Sequence, residues 1–437
     1  MRIAVIGTGH VGLVTCASMA AIGHDVVGVD SDQEKIDTLA RGHSPFFEEG
    51  LDELIETGES QGRLRFTVDV RDAVDGAEIV FICVGTPPRA DGEANLSAVE
   101  RAAREVARHA TGRTLIVEKS TVPAGTSTRV KRAIRRERPD LAGELEVASN
   151  PEFLREGKAV QDSLKPDRIL VGAETDWAFG YMRELYKPLT DAGVPLIETN
   201  ISTAELAKHA CNAFLALKIS YVNALARLCE RSDADVQAVA EVMGSDPRIG
   251  RQFLDAGLGY GGYCFPKDLD AFRRLAARQG YEFPMLAEVA RINDEAVEAA
   301  LDKIRDALWN LDDKKVALLG LAFKPGTDDI RFAPALELAS RLIKEGARVV
   351  GCDPQAASNA KSEIVDLEVV PDPYEAAEGA HCVVMCTEWP QFKELDMGRL
   401  KDLLAYPIVV DARNVWEPAT MERAGFTYYS MGRPSPG

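Results

Sequence analysis

The sequence is poor in basic residues relative to acidic ones. Its 437 residues include 51 Lys and Arg against 69 Asp and Glu, which gives a formal net charge of −18. Because no run of Lys and Arg is long enough to form a basic patch, neither a nucleic acid nor an anionic membrane is expected as a partner. Any anionic ligand must be held by a few local groups.

Histidines and paired cysteine motifs are also scarce. Only six histidines accompany the eight cysteines, and no two cysteines form a C-x-x-C pair. A zinc site and a small disulfide framework are therefore not expected, and we expect no bound metal. Dispersed cysteines are typical of a reducing compartment, so the expected location is the cytoplasm.

Long apolar stretches are absent as well, since no run of about 18 apolar residues occurs that would span a membrane. The first residues imitate a signal peptide by placing an apolar run after Arg2, but the glycines within it favour a folded strand and turn. A hydrophobic content of 46% over this length indicates a globular chain of two or three domains.

A strand, a glycine-rich turn, a helix and a second strand are predicted over residues 3–30. The turn contains Gly7, Gly9 and Gly12 in the pattern G-x-G-x-x-G, and Asp30 ends the second strand. In this context the pattern is typical of a dinucleotide site, where the helix N-terminus faces the pyrophosphate and the acid binds the ribose 2′-hydroxyl. Because a carboxylate repels a 2′-phosphate, the expected cofactor is NAD. Alternatively, Asp30 only caps a helix or turn.

A similar order of strands and helices returns near residue 315. The turn after Gly320 lacks the other two glycines, so a second dinucleotide site is not expected. Lys324 and Arg331 suggest a phosphate-bearing ligand held by side chains, although both also fit as solvated surface cations. We therefore predict an α/β protein with two doubly wound Rossmann-like domains, residues 1–200 and 301–437, joined by a central helical region, residues 201–300.

The central region begins with a helix that carries two polar residues on one face. Ser202 or Thr203 is a reasonable N-cap for this helix. Lys208 and Asn212 are four residues apart and therefore lie side by side, among neighbours that are mostly apolar. A buried, functional ammonium and amide is one interpretation, and an ordinary surface pair is the other.

Cys264 lies in the segment Gly257-Leu-Gly-Tyr-Gly-Gly-Tyr-Cys-Phe-Pro-Lys-Asp268. Glycines let the backbone approach a ligand closely, and the charge of Lys267 favours a thiolate. An inert buried cysteine in a flexible loop is the alternative. The predicted NAD site favours a reactive thiol, because a thiol that adds to an aldehyde allows a second hydride to leave and an acid to form.

Such chemistry also needs bases and groups that stabilise oxyanions. Lys208 and Asn212 supply donors, and Asp268 follows the cysteine by four residues. Glu152 lies in the segment Asn150-Pro-Glu-Phe-Leu-Arg-Glu156, although it is also typical of the first turn of a helix. Thr121 follows another predicted strand at the same sheet edge.

Six motifs together resemble the UDP-glucose/GDP-mannose dehydrogenase family over nearly the whole chain. They are Gly7-x-Gly-x-x-Gly12, Val84-Gly-Thr-Pro87, Lys119-Ser-Thr-Val-Pro-Ala-Gly-Thr126, Asn150-Pro-Glu-Phe-Leu-Arg-Glu-Gly157, Gly261-Gly-Tyr-Cys-Phe-Pro-Lys-Asp268 and Ala322-Phe-Lys-Pro-Gly-Thr-Asp-Asp329. The resemblance implies two oxidations at carbon 6 of UDP-glucose, giving UDP-glucuronate for polysaccharide or glycan synthesis and two NADH. It also implies a homodimer through the central helices, and a third domain that binds the UDP-sugar.

The same resemblance assigns roles to individual residues. Cys264 is the implied nucleophile, Lys208 and Asn212 stabilise oxyanions, Asp268 assists water or the thiol, and Glu152 and Thr121 act as bases through water. The implied cofactor contacts, besides the glycines, are Val11, Asp30, Lys35, Thr86, Thr121, Glu156, Lys267 and Arg331. The implied substrate contacts are Glu152, Phe153, Leu154, Lys208, Asn212, Phe253, Tyr260, Gly261, Phe323, Lys324, Arg413 and, from a second subunit, Arg248.

Two residues depart from the family pattern, and other functions compete with the implied one. Tyr263 stands where the family usually has serine, and His10 replaces an aromatic residue of the glycine turn. The closest alternatives are oxidation of GDP-mannose or of a UDP-N-acetylhexosamine. A two-electron β-hydroxyacid dehydrogenase, which needs no thiol, and a non-catalytic NAD-binding regulator are the remaining ones.

Overall fold

A computed structural model describes residues 1–87, 89 and 93–434 of the chain. These residues divide into two compact units, Met1–Cys211 with Asp270–Gly280 and Asn212–Leu269 with Tyr281–Gly437. The division into domains 1–200, 201–300 and 301–437 stays a prediction, and residues 88, 90–92 and 435–437 of the outer two lie outside the described part.

Eight strands form one sheet in the described residues of the first unit. Their order is β3-β2-β1-β4-β5-β6-β7-β8, and neighbours are parallel except for the antiparallel pair β6 and β7. The strands are β1 (Arg2–Ile6), β2 (Asp25–Val29), β3 (Leu64–Thr67), β4 (Ile79–Ile82), β5 (Thr114–Glu118), β6 (Leu145–Ser149), β7 (Ile169–Gly172) and β8 (Leu196–Thr199).

Helices cover both faces of this sheet. They are α1 (His10–Ala21), α2 (Gln33–Leu39), α3 (Leu51–Ser60), α4 (Val70–Val74), α5 (Ser97–His109), α6 (Thr126–Glu137), α7 (Ala159–Leu164), α8 (Asp176–Leu185) and α9 (Lys187–Asp191). Ile3 and Val5 of β1 pack into one apolar core, whereas Ala4 and Ile6 pack into another. Burial on both faces explains why β1 reads as a continuous apolar run rather than an alternating pattern.

Long helices follow the first sheet. They are α10 (Ile201–Arg231), α11 (Val236–Gly244), α12 (Cys264–Arg278) and α13 (Pro284–Leu308). The predicted N-cap of α10 was wrong, because the helix starts at Ile201 and the side chain of Asn200 accepts a hydrogen bond from the Thr203 backbone N–H at 2.8 Å. Asparagine is among the strongest N-cap residues, and it stands just ahead of the predicted serine and threonine.

A second doubly wound sheet occupies the described C-terminal residues. Its six strands are parallel in the order β11-β10-β9-β12-β13-β14. The elements are β9 (Lys315–Leu319), α14 (Pro334–Lys344), β10 (Arg348–Cys352), α15 (Ala357–Glu363), β11 (Glu368–Val369), α16 (Pro373–Ala377), β12 (Cys382–Met385), α17 (Pro390–Lys393), α18 (Met397–Leu403), β13 (Ile408–Asp411), α19 (Pro418–Ala424) and β14 (Thr427–Ser430).

The predicted fold class is confirmed, because both sheets have the doubly wound strand order and helices lie between them in the sequence. In each sheet the order reverses beside its first strand, and ligands of such folds bind at the carboxyl ends of the strands there. Of the helices in the described part of the chain, none is both long and apolar enough to cross a membrane.

Candidate active site

In the glycine turn after β1, Gly7 and Gly12 are closely packed, whereas the space beside Gly9 is open. A Cβ atom on Gly7, whose φ is +95°, would lie 2.8 Å from the carbonyl oxygen of Cys83. On Gly12 it would lie 1.8 Å from the carbonyl oxygen of Gly7, whereas on Gly9 it would meet no atom within 4 Å. Since Gly9 immediately precedes α1, the open side lies at a helix N-terminus and fits the pyrophosphate of a dinucleotide.

Asp30 follows β2 beside this turn. Its carboxylate accepts hydrogen bonds from the backbone N–H and the hydroxyl of Thr8, each at 3.0 Å, and from Lys35 at 2.8 Å. Burial works against ionisation, but these hydrogen bonds and the charge of Lys35 outweigh it, so that the pKa of Asp30 is lowered. A carboxylate that is ionised at neutral pH in this position suits a ribose hydroxyl and disfavours a 2′-phosphate.

Asp353 has the position in the second sheet that Asp30 has in the first. Asp353, which follows β10, is buried and accepts hydrogen bonds from the backbone N–H groups of Leu321 and Ala322 and from the indole of Trp389, at 2.7, 3.0 and 3.0 Å. Asp30 accepts the equivalent hydrogen bond from the Thr8 backbone N–H, so this contact alone does not distinguish the two turns. The absence of a dinucleotide site on the second sheet stays a prediction.

The remaining residues with a predicted cofactor role lie in both units. Thr86 is buried and its hydroxyl donates to the Thr121 carbonyl at 3.1 Å, which joins the loops after β4 and β5. Val11 is in the first turn of α1, and Glu156 lies in the loop before α7. Lys267 and Arg331 belong to the second unit.

Glu152 and Lys208 form a buried ion pair in the first unit. The Nζ of Lys208 lies 3.0 Å from Oε1 of Glu152, and both side chains are almost inaccessible to water. The other oxygen of Glu152 accepts the Leu154 backbone N–H at 2.7 Å. Glu152 lies in a loop, so the alternative that it belongs to the first turn of a helix was wrong. Lys208 is buried, so the alternative that it is an ordinary surface residue was also wrong.

Several residues near this pair had no predicted role. The ammonium of Lys119 and the hydroxyl of Tyr186 both donate to the Asn150 side-chain oxygen, at 3.1 and 2.5 Å, and Asn150 donates to the Leu170 carbonyl at 2.8 Å. This network holds the start of the loop that carries Glu152. The motif Lys119 to Thr126 already contained one member, but no sequence pattern indicated its contact with Tyr186.

The loop also presents an aromatic ring between two cations. The guanidinium carbon of Arg168 lies 4.0 Å from the centre of the Phe153 ring, and the Lys208 ammonium lies 5.3 Å from it. Cation–π contacts of this kind fix the orientation of the ring. Arg168 was not among the predicted site residues.

Cys264 is the first residue of α12 and is half-buried. The partial positive charge of a helix N-terminus favours a thiolate there. The glycines before it are needed for packing: Gly262 has a φ of +75°, and a Cβ on it would lie 2.8 Å from the ring of Phe323. Phe323 is itself a predicted substrate contact.

Three other cysteines differ from Cys264 because they lie in the apolar core. Cys83, Cys382 and Cys386 are buried, and desolvation raises the pKa of each thiol to about 12. These thiols remain protonated at neutral pH and behave as small core residues.

Asp268 lies one turn after Cys264 and is held by two donors. The side-chain amide of Asn212 donates to one of its oxygens at 2.6 Å, and Lys267 donates to the other at 2.5 Å. Only 1% of Asp268 is exposed. Asn212, Lys267 and Asp268 therefore lie together in the second unit, and Asn212, like Lys208, is buried rather than on the surface.

Tyr263, the departure from the family pattern, lies beneath two cations. The guanidinium carbon of Arg331 is 4.6 Å from the centre of its ring, and the Lys267 ammonium is 5.6 Å from it. Burial raises the pKa of the Tyr263 hydroxyl, while the two cations partly oppose this rise. Arg331 also pairs with Asp329 at 2.6 Å, and its side chain is half-exposed.

The predicted substrate residues of the second unit contact aromatic rings or the protein backbone. Tyr260 and Phe253 both contact the ring of Phe265, with ring centres 5.8 and 6.3 Å apart. Arg413 donates to the Cys386 carbonyl at 2.7 Å and is packed near Gly257, where a Cβ would lie 3.3 Å from its side chain. Lys324 lies 5.3 Å above the Phe323 ring.

Arg248 stands apart from these residues. Its side chain is 87% exposed and pairs with Asp246 at 2.5 Å. In the described part of the chain, no cluster of histidine, cysteine and carboxylate side chains could hold a metal ion.

Comparison with protein families gives three consecutive matches. Residues 1–190 match the NAD binding domain of the UDP-glucose/GDP-mannose dehydrogenase family, residues 202–295 match its central domain, and residues 317–418 match its UDP binding domain. The predicted family resemblance and the NAD cofactor are thereby confirmed.

Individual relatives cover the whole chain. A UDP-glucose 6-dehydrogenase of Rhizobium meliloti is 46% identical over 99% of this chain and 100% of its own, and one of Bacillus subtilis is 42% identical over 99% and 98%. The solved structure of a UDP-glucose dehydrogenase from Pyrobaculum islandicum is 39% identical, with a TM-score of 0.91 and coverage of 99% and 98%. That of a UDP-D-ManNAc dehydrogenase from Pyrococcus horikoshii is 29% identical, with a TM-score of 0.86 and coverage of 99% of each chain.

Proposed function

The chain belongs to the UDP-glucose/GDP-mannose dehydrogenase family, and from this premise we propose that it oxidises carbon 6 of UDP-glucose twice with NAD, giving UDP-glucuronate. The observation that carries the proposal is Cys264 at the first residue of α12, with the buried cluster around Asp268 one turn later. A thiol in this setting is needed for oxidation to an acid and is superfluous for oxidation to an aldehyde.

The first oxidation removes the proton of the carbon 6 hydroxyl and a hydride from the carbon. Lys208 stabilises the alkoxide by its charge, and Glu152, its partner at 3.0 Å, accepts the proton through a water molecule held with Thr121. NAD, held at the glycine turn and Asp30, supplies the hydride acceptor for both oxidations.

The second oxidation begins when the Cys264 sulfur bonds to the aldehyde carbon and the oxygen gains a proton, which gives a thiohemiacetal. Loss of a hydride and of the hydroxyl proton leaves a thioester on Cys264. Asp268 takes a proton from water, whose oxygen attacks the carbonyl carbon, while Lys208 and Asn212 stabilise the oxyanion. Cleavage of the carbon–sulfur bond releases the carboxylate and regenerates the thiol, with two hydrides and three protons lost overall.

The remaining predicted contacts are divided between the cofactor and the nucleotide sugar. Val11, Lys35, Thr86, Glu156, Lys267 and Arg331 contact the cofactor. Phe153 and Leu154 contact the sugar, and the nucleotide is held by Phe253, Tyr260, Gly261, Phe323, Lys324 and Arg413. In this arrangement residues 1–200 bind NAD and residues 301–437 bind the UDP-sugar, in a cytoplasmic enzyme whose cysteines stay reduced.

A homodimer through the central helices is part of the proposal. Phe214, Tyr221 and Leu228 of α10 recur every seven residues and therefore lie along one face, and they are 59%, 51% and 58% exposed. An apolar stripe of this kind on a helix is typical of a surface that another helix covers. Arg248 would then reach the substrate of the second subunit.

The dimer is tested by the mass of the protein in solution. Size-exclusion chromatography with light scattering should give two chains for the wild type and one for the double variant Tyr221→Glu, Leu228→Glu. Val365→Glu, which changes an even more exposed apolar residue elsewhere, should leave the mass unchanged. A wild-type protein that stays monomeric at every concentration would contradict the proposal.

The activity is tested by measuring NADH with a panel of nucleotide sugars. UDP-glucose should give two NADH per sugar, and preference for GDP-mannose or a UDP-N-acetylhexosamine would overturn the proposed substrate. Cys264→Ser should abolish acid formation. If turnover of that variant stays close to wild type, the enzyme is a two-electron dehydrogenase, and if no sugar yields NADH, it is a non-catalytic binder.

A further inference from the structure

The first unit contains a cavity that lies beside the N-terminal end of α5 and along most of α6. Its volume is about 590 Å³. It is lined by both helices, by the segments that precede them and by the last residue of α12, Arg278. This volume lies within the range of pockets that hold small organic molecules.

The lining of the cavity is basic in a protein that is otherwise acidic. Among the residues that the structure describes, five arginines and two carboxylates line it, although the chain as a whole has a net charge of −18. The arginines are Arg89, Arg129, Arg132, Arg136 and Arg278, and the carboxylates are those of Glu93 and Glu100. A local excess of positive charge in such a chain attracts anions to this place.

Three of the arginines form no ion pair with the part of the protein that the structure describes. Glu93 pairs with Arg278 at 3.0 Å, and Glu100 lies 3.9 Å from Arg104, outside the lining. Within the described residues, Arg129, Arg132 and Arg136 have no carboxylate partner. By contrast, the neighbouring Lys131 on α6 pairs with Glu146 and Glu174.

The spacing of these three residues restricts the ligand. Positions 129, 132 and 136 lie on one face of α6, and with a rise of about 1.5 Å per residue they extend over about 10 Å. Guanidinium groups bind phosphate through paired hydrogen bonds. A single small anion reaches only part of this row, whereas a ligand with several linked anionic groups reaches all of it.

The N-terminus of α6 does not supply the positive charge. Glu205 already accepts hydrogen bonds from the backbone N–H groups of Gly125 and Ser127, at 2.6 and 2.8 Å. The anion selectivity therefore comes from the arginine side chains. Moreover, the lining includes none of the residues with a proposed catalytic, cofactor or substrate role.

We propose that this arginine-lined cavity binds a small polyanion with two or more phosphate groups, at a site separate from those for NAD and the nucleotide sugar. The inference does not rest on the proposed function, because the cavity and its charges are features of the first unit alone.

Calorimetric titration with inorganic tripolyphosphate tests the proposal. The full chain is first saturated with NAD and UDP, so that the phosphate sites of the cofactor and the nucleotide sugar are filled. We expect one tripolyphosphate per chain, bound at least about tenfold more tightly than orthophosphate at equal ionic strength. Added salt should weaken the binding, because exposed charges are screened.

Variants of α6 identify the site. The double variant Arg132→Ser, Arg136→Ser should bind tripolyphosphate at least about tenfold more weakly. Arg135→Ser removes a charge from the same helix outside the lining and should change the affinity by less than about twofold. Circular dichroism checks that each variant is folded, and Arg129→Gln provides a second measurement if the double variant is not.

Two results would overturn the proposal. One is the absence of tripolyphosphate binding to the NAD- and UDP-saturated protein. The other is binding that Arg135→Ser weakens as much as the lining variants do, because the attraction would then come from the general charge of α6 rather than from the cavity.

Discussion

The side-chain amide of Asn212 donates a hydrogen bond of 2.6 Å to Asp268, which Lys267 contacts on its other oxygen. The two donors fix the carboxylate one helical turn after Cys264. We expect Asp268→Asn to lower kcat for UDP-glucose by a factor of about 10² to 10³, and Asn212→Ala by about 10². Steady-state NADH formation measures both.

Asp270→Asn is the control for this prediction. Asp270 is on the same helix, but it pairs with the surface residues Arg273 and Arg274. Its kcat should stay within about twofold of wild type. An Asp268→Asn enzyme with unchanged kcat would remove Asp268 from the mechanism.

Asp30 determines the choice between NAD and NADP. Replacement by asparagine removes the charge that excludes a 2′-phosphate, so Asp30→Asn should raise KM for NAD about tenfold and allow measurable turnover with NADP. Because the pKa of Asp30 is lowered, the wild-type preference for NAD should persist as pH falls to about 4, near the ordinary aspartate value. Asp37→Asn, an exposed change on α2, should alter neither KM nor preference.

Thiol labelling should separate Cys264 from the core cysteines. At pH 8 a thiol with a pKa of about 12 is ionised in about one molecule in ten thousand, as for Cys83, Cys382 and Cys386. Iodoacetamide followed by peptide mass analysis should therefore modify Cys264 first, with loss of activity in step. Activity that survives complete modification of Cys264 would contradict the covalent mechanism.

Tyr263 is expected to position Arg331 through its ring rather than its hydroxyl. Tyr263→Phe keeps the ring and should leave KM for NAD within about twofold of wild type. Tyr263→Ser removes it and should raise KM about fivefold, which corresponds to a lost cation–π contact of about 1 kcal/mol. If the phenylalanine variant were as impaired as the serine variant, the hydroxyl would be the functional group instead.

Glu118 should make the stability of the protein depend on pH. It is 1% exposed at the end of β5, and burial, followed by the nearby charge of Glu205, raises its pKa well above the ordinary value. A raised carboxyl pKa gives stability that is complete below about pH 4.5 and is lost as pH rises towards the folded-state pKa. Glu118→Gln lacks this loss, so its Tm relative to wild type should increase between pH 5 and pH 8.

Thermal unfolding at the two pH values measures this difference. Glu144→Gln is the matched control, because Glu144 is an exposed carboxylate paired with Arg113. For that variant the difference in Tm should be the same at both pH values. A constant difference for Glu118→Gln would mean that the buried carboxyl titrates alike in the folded and unfolded chain.

The fold was largely predictable because its signals are local. The first two strands and the helix between them lie within one residue of the predicted span 3–30, and the second sheet begins at Lys315 as expected, since apolar runs ended by glycine define these elements. The contacts of the site were less predictable. Neither the hydrogen bond between Tyr186 and Asn150 nor the position of Arg168 over Phe153 leaves a pattern in the sequence, because each joins residues from separate elements.

The apolar neighbours of Asn212 in the sequence did not show which side of α10 is buried. They favoured a buried position for Asn212, which is indeed buried, but the apolar Phe214, two residues later, is mostly exposed. A single chain cannot reveal from its sequence whether an apolar side chain faces its own core or another molecule.

The helix α10 has 31 residues, and its part in the second unit carries Asn212 on one side and the exposed apolar stripe on another. Side chains on one stretch of helix cannot turn independently of its axis. A substitution that rolls this stretch to improve contact along the stripe therefore rolls the Asn212 amide by the same angle. Mutational tolerance along the stripe is accordingly limited by turnover as well as by assembly.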